Sequence, residues 1–358
     1  MSERLTALRR LMAERGFDAI LVTSPENHLY MSGFNNPDGT LLITSDAAFA
    51  LQDFRYIEAA KREINPDDFD VEMPTVRIGA WVEEALSAAG CKILAYEDAK
   101  LTCRQLETFR KAIPCCELVP AGDIFTDLRI EKDEDEVECI VKAQRIAEKS
   151  FAELLPLITY DCTETYLAAQ LEFLMKKNGS EGISFETIAV SGKNSSSPHG
   201  VPRNVKIEKG FMTFDFGAMI GGYHSDMTRT VVIGKADDAM RSLYNKVLEA
   251  QCAVLDVIKE GESLYKMDKI ARDIIDACPE YMGAFGHSLG HGVGLEIHEA
   301  PNLSMASGDG KLKAGNVVTV EPGIYLEGKY GCRIEDMVYI TPGGAENLTK
   351  CPKELIEI

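Results

Sequence analysis

Two stretches of this 358-residue chain repeat one arrangement of acidic residues. Thr213-Phe-Asp215-Phe-Gly217 is echoed by Thr319-Val-Glu321-Pro-Gly323, and Ser225-Asp226-Met227-Thr228 by Ile334-Glu335-Asp336-Met337. In each half an acid on a strand-like run is followed by a glycine-rich turn and a second acid on the returning run. The acids stand 11 residues apart in the first half and 14 in the second. Both spacings predict a β-hairpin that brings its two carboxylates together. Two such hairpins, related by an internal pseudo-two-fold, would converge four carboxylates on one point. Bare anions cannot share such a site, because like charges raise each other's pKa and repel. One or two divalent cations resolve the conflict.

The histidines fit that chemistry. Three of the six, His287, His291 and His298, lie in Gly286-His-Ser-Leu-Gly-His-Gly-Val-Gly-Leu-Glu-Ile-His298. Glycines there suit close backbone approach around a site. An imidazole added to carboxylates favours Mn, Co, Zn or Fe over Ca. His224 stands two residues before Asp226, on the same face of a strand, and reads as structural. So does His28, as a structural or interface residue.

With these motifs in place, the sequence resembles the pita-bread metallopeptidases, the family that holds prolidase, aminopeptidase P, methionine aminopeptidase and creatinase. The resemblance covers nearly the whole chain. The front resembles the creatinase/prolidase N-terminal domain through Asn27-His-Leu-Tyr-Met-Ser-Gly-Phe34 and Asp53-Phe-Arg-Tyr56. The rest resembles the catalytic domain. The resemblance implies five metal ligands: Asp215, Asp226, His291, Glu321 and Glu335. Asp226 and Glu335 would bridge two ions, Asp215 would hold one, and His291 with Glu321 the other. It also implies a metal-bridged hydroxide that attacks the scissile carbonyl, with Glu321 as general base. His199, in Asn194-Ser-Ser-Ser-Pro-His-Gly200, and His298 match the family's substrate-contacting and second catalytic histidines. His287 and Tyr325 match residues near the substrate. Arg333 precedes Glu335 by two, so both would leave one face of a strand, and the family places this arginine near the metals. Manganese is the first choice of metal, with Co, Zn or Fe as alternatives. Small peptides with proline at the second position are the implied substrates, and a homodimer the implied assembly.

Within the family, the N-terminal domain argues against a plain methionine aminopeptidase, and the intact ligand set against creatinase. Some prolidases carry an arginine four residues after the catalytic histidine; here that residue is Asn302. This tilts the expectation to an Xaa-Pro aminopeptidase, with an Xaa-Pro dipeptidase as the alternative. A metal-free amidinohydrolase and a non-catalytic binding protein stand behind both.

The elements that must position these groups follow from periodicity. Residues 3–15 place Leu5, Leu8, Leu11 and Met12 on one helical face. Apolar runs at 18–23, 40–44, 48–52, 92–96 and 116–119 read as strands, separated by helical patterns near 53–63, 79–89 and 100–111. This alternation predicts an α/β N-terminal domain over residues 1–130. The charged run Arg129-Ile-Glu-Lys-Asp-Glu-Asp-Glu-Val-Glu138 reads as a solvated linker or helix start. A long helix opening near 131 and another at 162–177 begin a second domain, 131–358. Strand-like runs at 185–191, 211–217, 227–234, 316–321 and 333–341, with helices at 237–259 and 264–277, make it α+β and of the pita-bread type.

Composition narrows the partners. With a net charge of −19, the chain repels phosphate backbones and anionic membrane surfaces. Ten cysteines without a Cys-x-x-Cys pair form no zinc or disulfide framework. The first residues lack the apolar core of a signal peptide, and no run approaches the length of a membrane span. The expectation is a reduced, cytoplasmic protein.

Overall fold

Capping residues and apolar runs alternate along the first 129 residues, and they set the local structure there. In the computed structural model, which describes residues 2–358, Ser2 caps helix α1 (Glu3–Arg15) by accepting from Leu5 N. Gly16, at φ 73°, ends the helix in the left-handed region. The chain parts into two compact units between Arg129 and Ile130. The first holds a six-stranded sheet in the order β4-β3-β2-β1-β5-β6. Its strands are β1 (Ala19–Val22), β2 (Thr40–Thr44), β3 (Ala48–Leu51), β4 (Asp70–Glu72), β5 (Ile93–Tyr96) and β6 (Glu117–Pro120). Helices α2 (Pro25–Ser32), α3 (Ile57–Glu63), α4 (Ile78–Ala89), α5 (Cys103–Ala112) and α6 (Ile124–Arg129) complete the unit. The helix expected from residue 53 starts at Ile57, because Asp53–Tyr56 close a turn through Tyr56 N→Asp53 O. Sequence periodicity missed α2, although Ser24 caps it and Pro25 stands at its start. It also missed β4 and α6, which are too short to show a period.

The second unit opens with two helices, α7 (Glu134–Leu154) and α8 (Glu164–Lys177). They pack on the three-stranded sheet β11-β8-β7, made of β7 (Ile188–Ser191), β8 (Gly210–Phe216) and β11 (Met227–Ile233). Phe151, Leu171, Phe214 and Phe216 share that core. Two short strands, β9 (Met219–Ile220) and β10 (Tyr223–His224), link β8 to β11. A second helix pair, α9 (Asp238–Leu255) and α10 (Leu264–Asp276), packs on a five-stranded sheet in the order β13-β12-β14-β17-β18. Its strands are β12 (Gly290–Gly292), β13 (Glu299–Leu303), β14 (Val317–Val320), β17 (Asp336–Thr341) and β18 (Gly344–Asn347). The hairpin β15 (Gly323–Leu326) and β16 (Tyr330–Arg333) links β14 to β17. Each half is thus a helix pair on an antiparallel sheet, and each sheet holds one of the acid-bearing strand pairs that the echo predicts.

Two expectations need correction here. The charged run near residue 131 is not simply solvated. Lys132 is buried and its Nζ meets Glu299 Oε1 at 2.6 Å, while buried Glu136 accepts from Tyr223 OH at 2.7 Å. Pairing makes burial of these charges tolerable. The strand expected over 333–341 breaks at Ile334-Glu335, between β16 and β17. Among the described residues, no helix is long and apolar enough to cross a membrane.

Candidate metal centre

The two hairpins deliver their acids at equivalent places. In the first, β8 and β11 pair to Phe216↔Met227, with Asp215 opposite Thr228. Asp226 is the residue just beyond that pair. In the second, β14 and β17 pair to Val320↔Asp336, and Glu321 and Glu335 are the next residues on either chain. Between them stands His291, on β12, the neighbour of β14.

The five residues form one cluster. His291 Nε2 lies 3.3 Å from Glu321 Oε1 and 3.5 Å from Asp226 Oδ2. Its Nδ1 is 3.0 Å from the Gly292 carbonyl, to which it can only donate. That leaves Nε2 turned into the cluster. Burial lowers the His291 pKa, but the hydrogen bond to Glu321 and the charge of Glu321 raise it, so Nε2 holds a proton there, and a metal would take that lone pair in the proton's place. Asp226, His291 and Glu335 each place a ligand atom within 4.8 Å of the other two. Asp215 Oδ2 accepts from Arg333 Nη2 at 2.6 Å, and Glu335 Oε2 from Thr228 Oγ1 at 2.7 Å. Asp215 Oδ1 and Glu335 Oε1 are buried with no hydrogen-bond partner.

These unpaired oxygens test whether a cation fits. Burial raises the Asp226 carboxyl well above its usual range, and the charges of Glu335, Asp215 and Glu321 raise it further. Glu335 is raised well above its usual value by burial and then by Glu321 and Asp215. Asp215 is raised by burial, against the pull of Arg333. Glu321 goes the other way: burial opposes its ionisation, but the hydrogen bond and charge of His291 win. Left to itself, the cluster holds protons. A divalent cation replaces those protons and supplies the partner the orphaned oxygens lack. Oxygen donors with one imidazole are a hard-to-borderline set, suited to Mn, Fe, Co or Zn.

A cavity of about 780 Å³ opens onto the cluster, lined by Asp215, Asp226, His291, Glu321, Arg333 and Glu335 among others. His199, His287, His298 and Asn302 also line it. His199 sits in the exposed loop after the 3-10 turn Gly192–Ser196. His298 stacks edge-on against His291, with ring centroids 4.3 Å apart. Its pKa is lowered by burial and then by the neighbouring His291. His287 Nε2 lies 3.0 Å from the Tyr325 hydroxyl. Tyr325 itself does not line this cavity. Its hydroxyl accepts from Arg333 Nη1 at 2.6 Å and so stands behind the wall rather than in it. Arg333 and Glu335 do meet, but through Thr228 rather than by strand alternation: Arg333 Nε donates to Thr228 Oγ1 at 3.0 Å, and that hydroxyl donates to Glu335. His224 is outside the lining, and His28 belongs to the first unit.

Sequence reasoning missed the threonines that orient the ligands. Thr319 Oγ1 donates to Glu321 Oε1 at 3.1 Å and accepts from His291 N at 3.0 Å. A signal was present, because Thr213 and Thr319 each stand two residues before an acid of the echo. It also missed the wall built from Thr165, Ala168, Ala169 and Glu172 of α8 with Phe185 and Ile188, since nothing local ties that helix to the acids.

Comparison with known proteins gives the family. Residues 138–342 match the model of metallopeptidase family M24, and residues 4–130 that of the creatinase/prolidase N-terminal domain. The chain is 38% identical over 359 residues to a Xaa-Pro dipeptidase of Pyrococcus furiosus, covering 99% of this chain and 100% of the relative. Among solved structures, a Xaa-Pro dipeptidase from Bacillus anthracis superposes with a TM-score of 0.95 at 38% identity, covering 99% of both chains. An X-Pro aminopeptidase from Thermotoga maritima superposes with a TM-score of 0.90 at 35% identity, covering 98% of this chain and 100% of that one.

Proposed function

Because the chain belongs to metallopeptidase family M24, a pita-bread hydrolase with a creatinase/prolidase N-terminal domain, we propose that it is a Xaa-Pro dipeptidase that holds two divalent ions. The observation that carries the metal-dependent chemistry is the convergence of Asp215, Asp226, His291, Glu321 and Glu335, with buried oxygens left unpaired. Asp215, Asp226, His291, Glu321 and Glu335 would hold the ions. Manganese is the first candidate, and the reading extends to a cytoplasmic homodimer. When bound, the metal supplies Lewis-acid polarisation of the scissile carbonyl and makes water nucleophilic near neutral pH.

The remaining steps belong to side chains. Glu321 Oε1 is engaged by His291 and Thr319, whereas Oε2 has only Arg333 Nε, at 4.0 Å. Oε2 is therefore the atom that takes the water proton and returns it to the leaving amine. His199 and His298 face the cavity and donate to the substrate carbonyl as charge develops on its oxygen. Arg333 fixes Asp215 and, through Thr228, Glu335. Tyr325 braces Arg333 from behind, and His287, in the cavity lining, meets the same hydroxyl and would contact substrate.

The dipeptidase assignment reverses the tilt that Asn302 gives. It is supported by relatives named Xaa-Pro dipeptidase that align over nearly their full length. Xaa-Pro aminopeptidase is kept as a second reading on one specific observation. Asn302, which stands where some prolidases carry an arginine, lines the cavity, and Arg333 spends four of its five donors on Asp215, Thr228, Pro198 O and Tyr325. The test is cleavage of Ala-Pro and Ala-Pro-Ala by protein stripped of metal and reloaded with Mn²⁺. Metal-dependent hydrolysis of Ala-Pro is the expected result. Release of Ala from Ala-Pro-Ala with Ala-Pro untouched would install the second reading. No metal-dependent cleavage of either would overturn both.

A further inference from the structure

Away from the metal ligands, a completely buried carboxylate is committed to one loop. Glu164 is the first residue of α8 and has no exposed surface. Its Oε1 accepts from Ser191 N, Ser191 Oγ and Arg203 Nη2, each at 2.8 Å. Its Oε2 accepts from Arg203 N and Nε at 2.9 Å and from Asn194 Nδ2 at 3.0 Å. Backbone bonds add to these: Thr165 N donates to Arg203 O and Glu164 N to Val205 O, both at 3.2 Å. One side chain thus grips both ends of the segment 191–203 and a point inside it. Ionised carboxylate is the group that suits this place, because it accepts at both oxygens and donates at neither. Burial works against ionisation, yet the bonds from Arg203 and Ser191 lower the carboxyl below its usual value.

That segment carries His199. The histidine is exposed and, among the described residues, makes no side-chain hydrogen bond of its own. Its position is therefore set by the backbone around it. The far side of the loop is pinned to the centre, where Pro198 O accepts from Arg333 Nη1 at 3.1 Å and Ser195 Oγ accepts from Gly331 N at 3.0 Å. Gly200 is packed so tightly that a Cβ there would stand 3.0 Å from Asn194 O. The loop is thus stretched between Glu164 on one side and the Arg333 strand on the other.

We propose that Glu164, paired with Arg203, is a positioning residue that sets the His199 imidazole for its contact with substrate. The proposal rests on the peptidase reading for that contact, but not for the clamp itself. A misplacement of about 1 Å costs on the order of 100-fold in rate. Glu164→Gln turns an amide N–H₂ towards donors, so we expect kcat/KM on Ala-Pro to fall about 10- to 100-fold. The decisive measurement is a double-mutant cycle with His199→Ala on the Mn²⁺-loaded full chain. In the His199→Ala background Glu164→Gln should cost less than about 2-fold, because the group it positions is gone, while in a His298→Ala background it should keep its full cost. Equal cost in all backgrounds would overturn the positioning role and leave Glu164 a stabilising residue. Hydrogen exchange on the metal-free chain reads the clamp separately. Glu164→Gln should speed exchange over 192–203 and leave the N-terminal unit unchanged; unchanged exchange in that loop would overturn the clamp. Arg203→Gln, at a side chain 40% exposed, makes the same test should Glu164→Gln fail to fold, and Arg203→Lys should recover only part of the loss. An inactive wild-type chain would overturn the peptidase reading and with it the role of His199, while the exchange result would still decide whether Glu164 holds the loop.

Discussion

Glu97 in the first unit and Glu335 in the second are both buried carboxylates, and they differ in what surrounds them. Glu97 accepts from Thr23 N, Ser24 N, Ser24 Oγ and Asn27 Nδ2 at 2.5–2.9 Å. Glu335 has one donor, Thr228, and an oxygen with none. His28 and His291 differ in the same sense. His28 is bonded at both nitrogens, to Phe34 O at 3.0 Å and Gln52 Nε2 at 3.1 Å. His291 turns Nε2 to carboxylates that share it. A buried polar group whose valences are filled by its own chain is holding the fold together. In the acidic cluster, the open valences of Asp215 and Glu335 stand among further carboxylates and an imidazole, where a cation would fill them. Glu164 belongs to the first kind although it lies beside the second, which is why it reads as a clamp.

The contrast can be broken at its strongest point by Glu321→Gln. This change should lower peptidase turnover by about 10²–10⁴-fold. Equal activity would mean that Glu321 moves no proton. In the first unit the matching experiment is a pH series. Burial lowers the His28 pKa to about 4, against an ordinary value of 6.5. The unfolded chain therefore binds the proton first as pH falls, and stability is complete above about 6.5 and lost between 6.5 and 4. The loss should be roughly 3 kcal/mol. Urea unfolding of that unit at pH 7 and pH 4 measures it, and His28→Gln should flatten the difference.

Metal sharpens the comparison in the opposite direction. Mn²⁺ at about 100 times its Kd should stabilise the native chain by about 2.7 kcal/mol, and chelation should reverse this. Calorimetry with and without chelator decides it; a transition that ignores metal would remove the ions from the second unit. The smallest expected effect is Glu97→Gln, which leaves Thr23, Ser24 and Asn27 donors poorly matched. It should cost about 1–3 kcal/mol of stability and leave kcat unchanged. A fall in kcat at Glu97→Gln would erase the distinction between the two carboxylates.

How much of this was legible beforehand depends on the range of the interaction. Helix α1, strand β2, helix α8 and the two acid-bearing hairpins follow from caps, apolar periods and turn residues only a few positions apart. The buried Lys132–Glu299 pair does not, because 167 residues separate its partners and a charged run looks solvated until its partner is known. Tyr325 is similar, since only the fold shows that its hydroxyl is spent on Arg333.

By itself the sequence determined the chemical types: four acids in an internal echo, a histidine run among glycines, and the spacings that return each acid to its neighbour. These are local, so order along the chain is enough to specify them. The tertiary structure alone decided which oxygens stay unpaired, that Thr228 and Thr319 aim the ligands, and that Glu164 holds the His199 loop. Those outcomes depend on groups brought together from distant positions, where a shift of one ångström makes or loses a hydrogen bond.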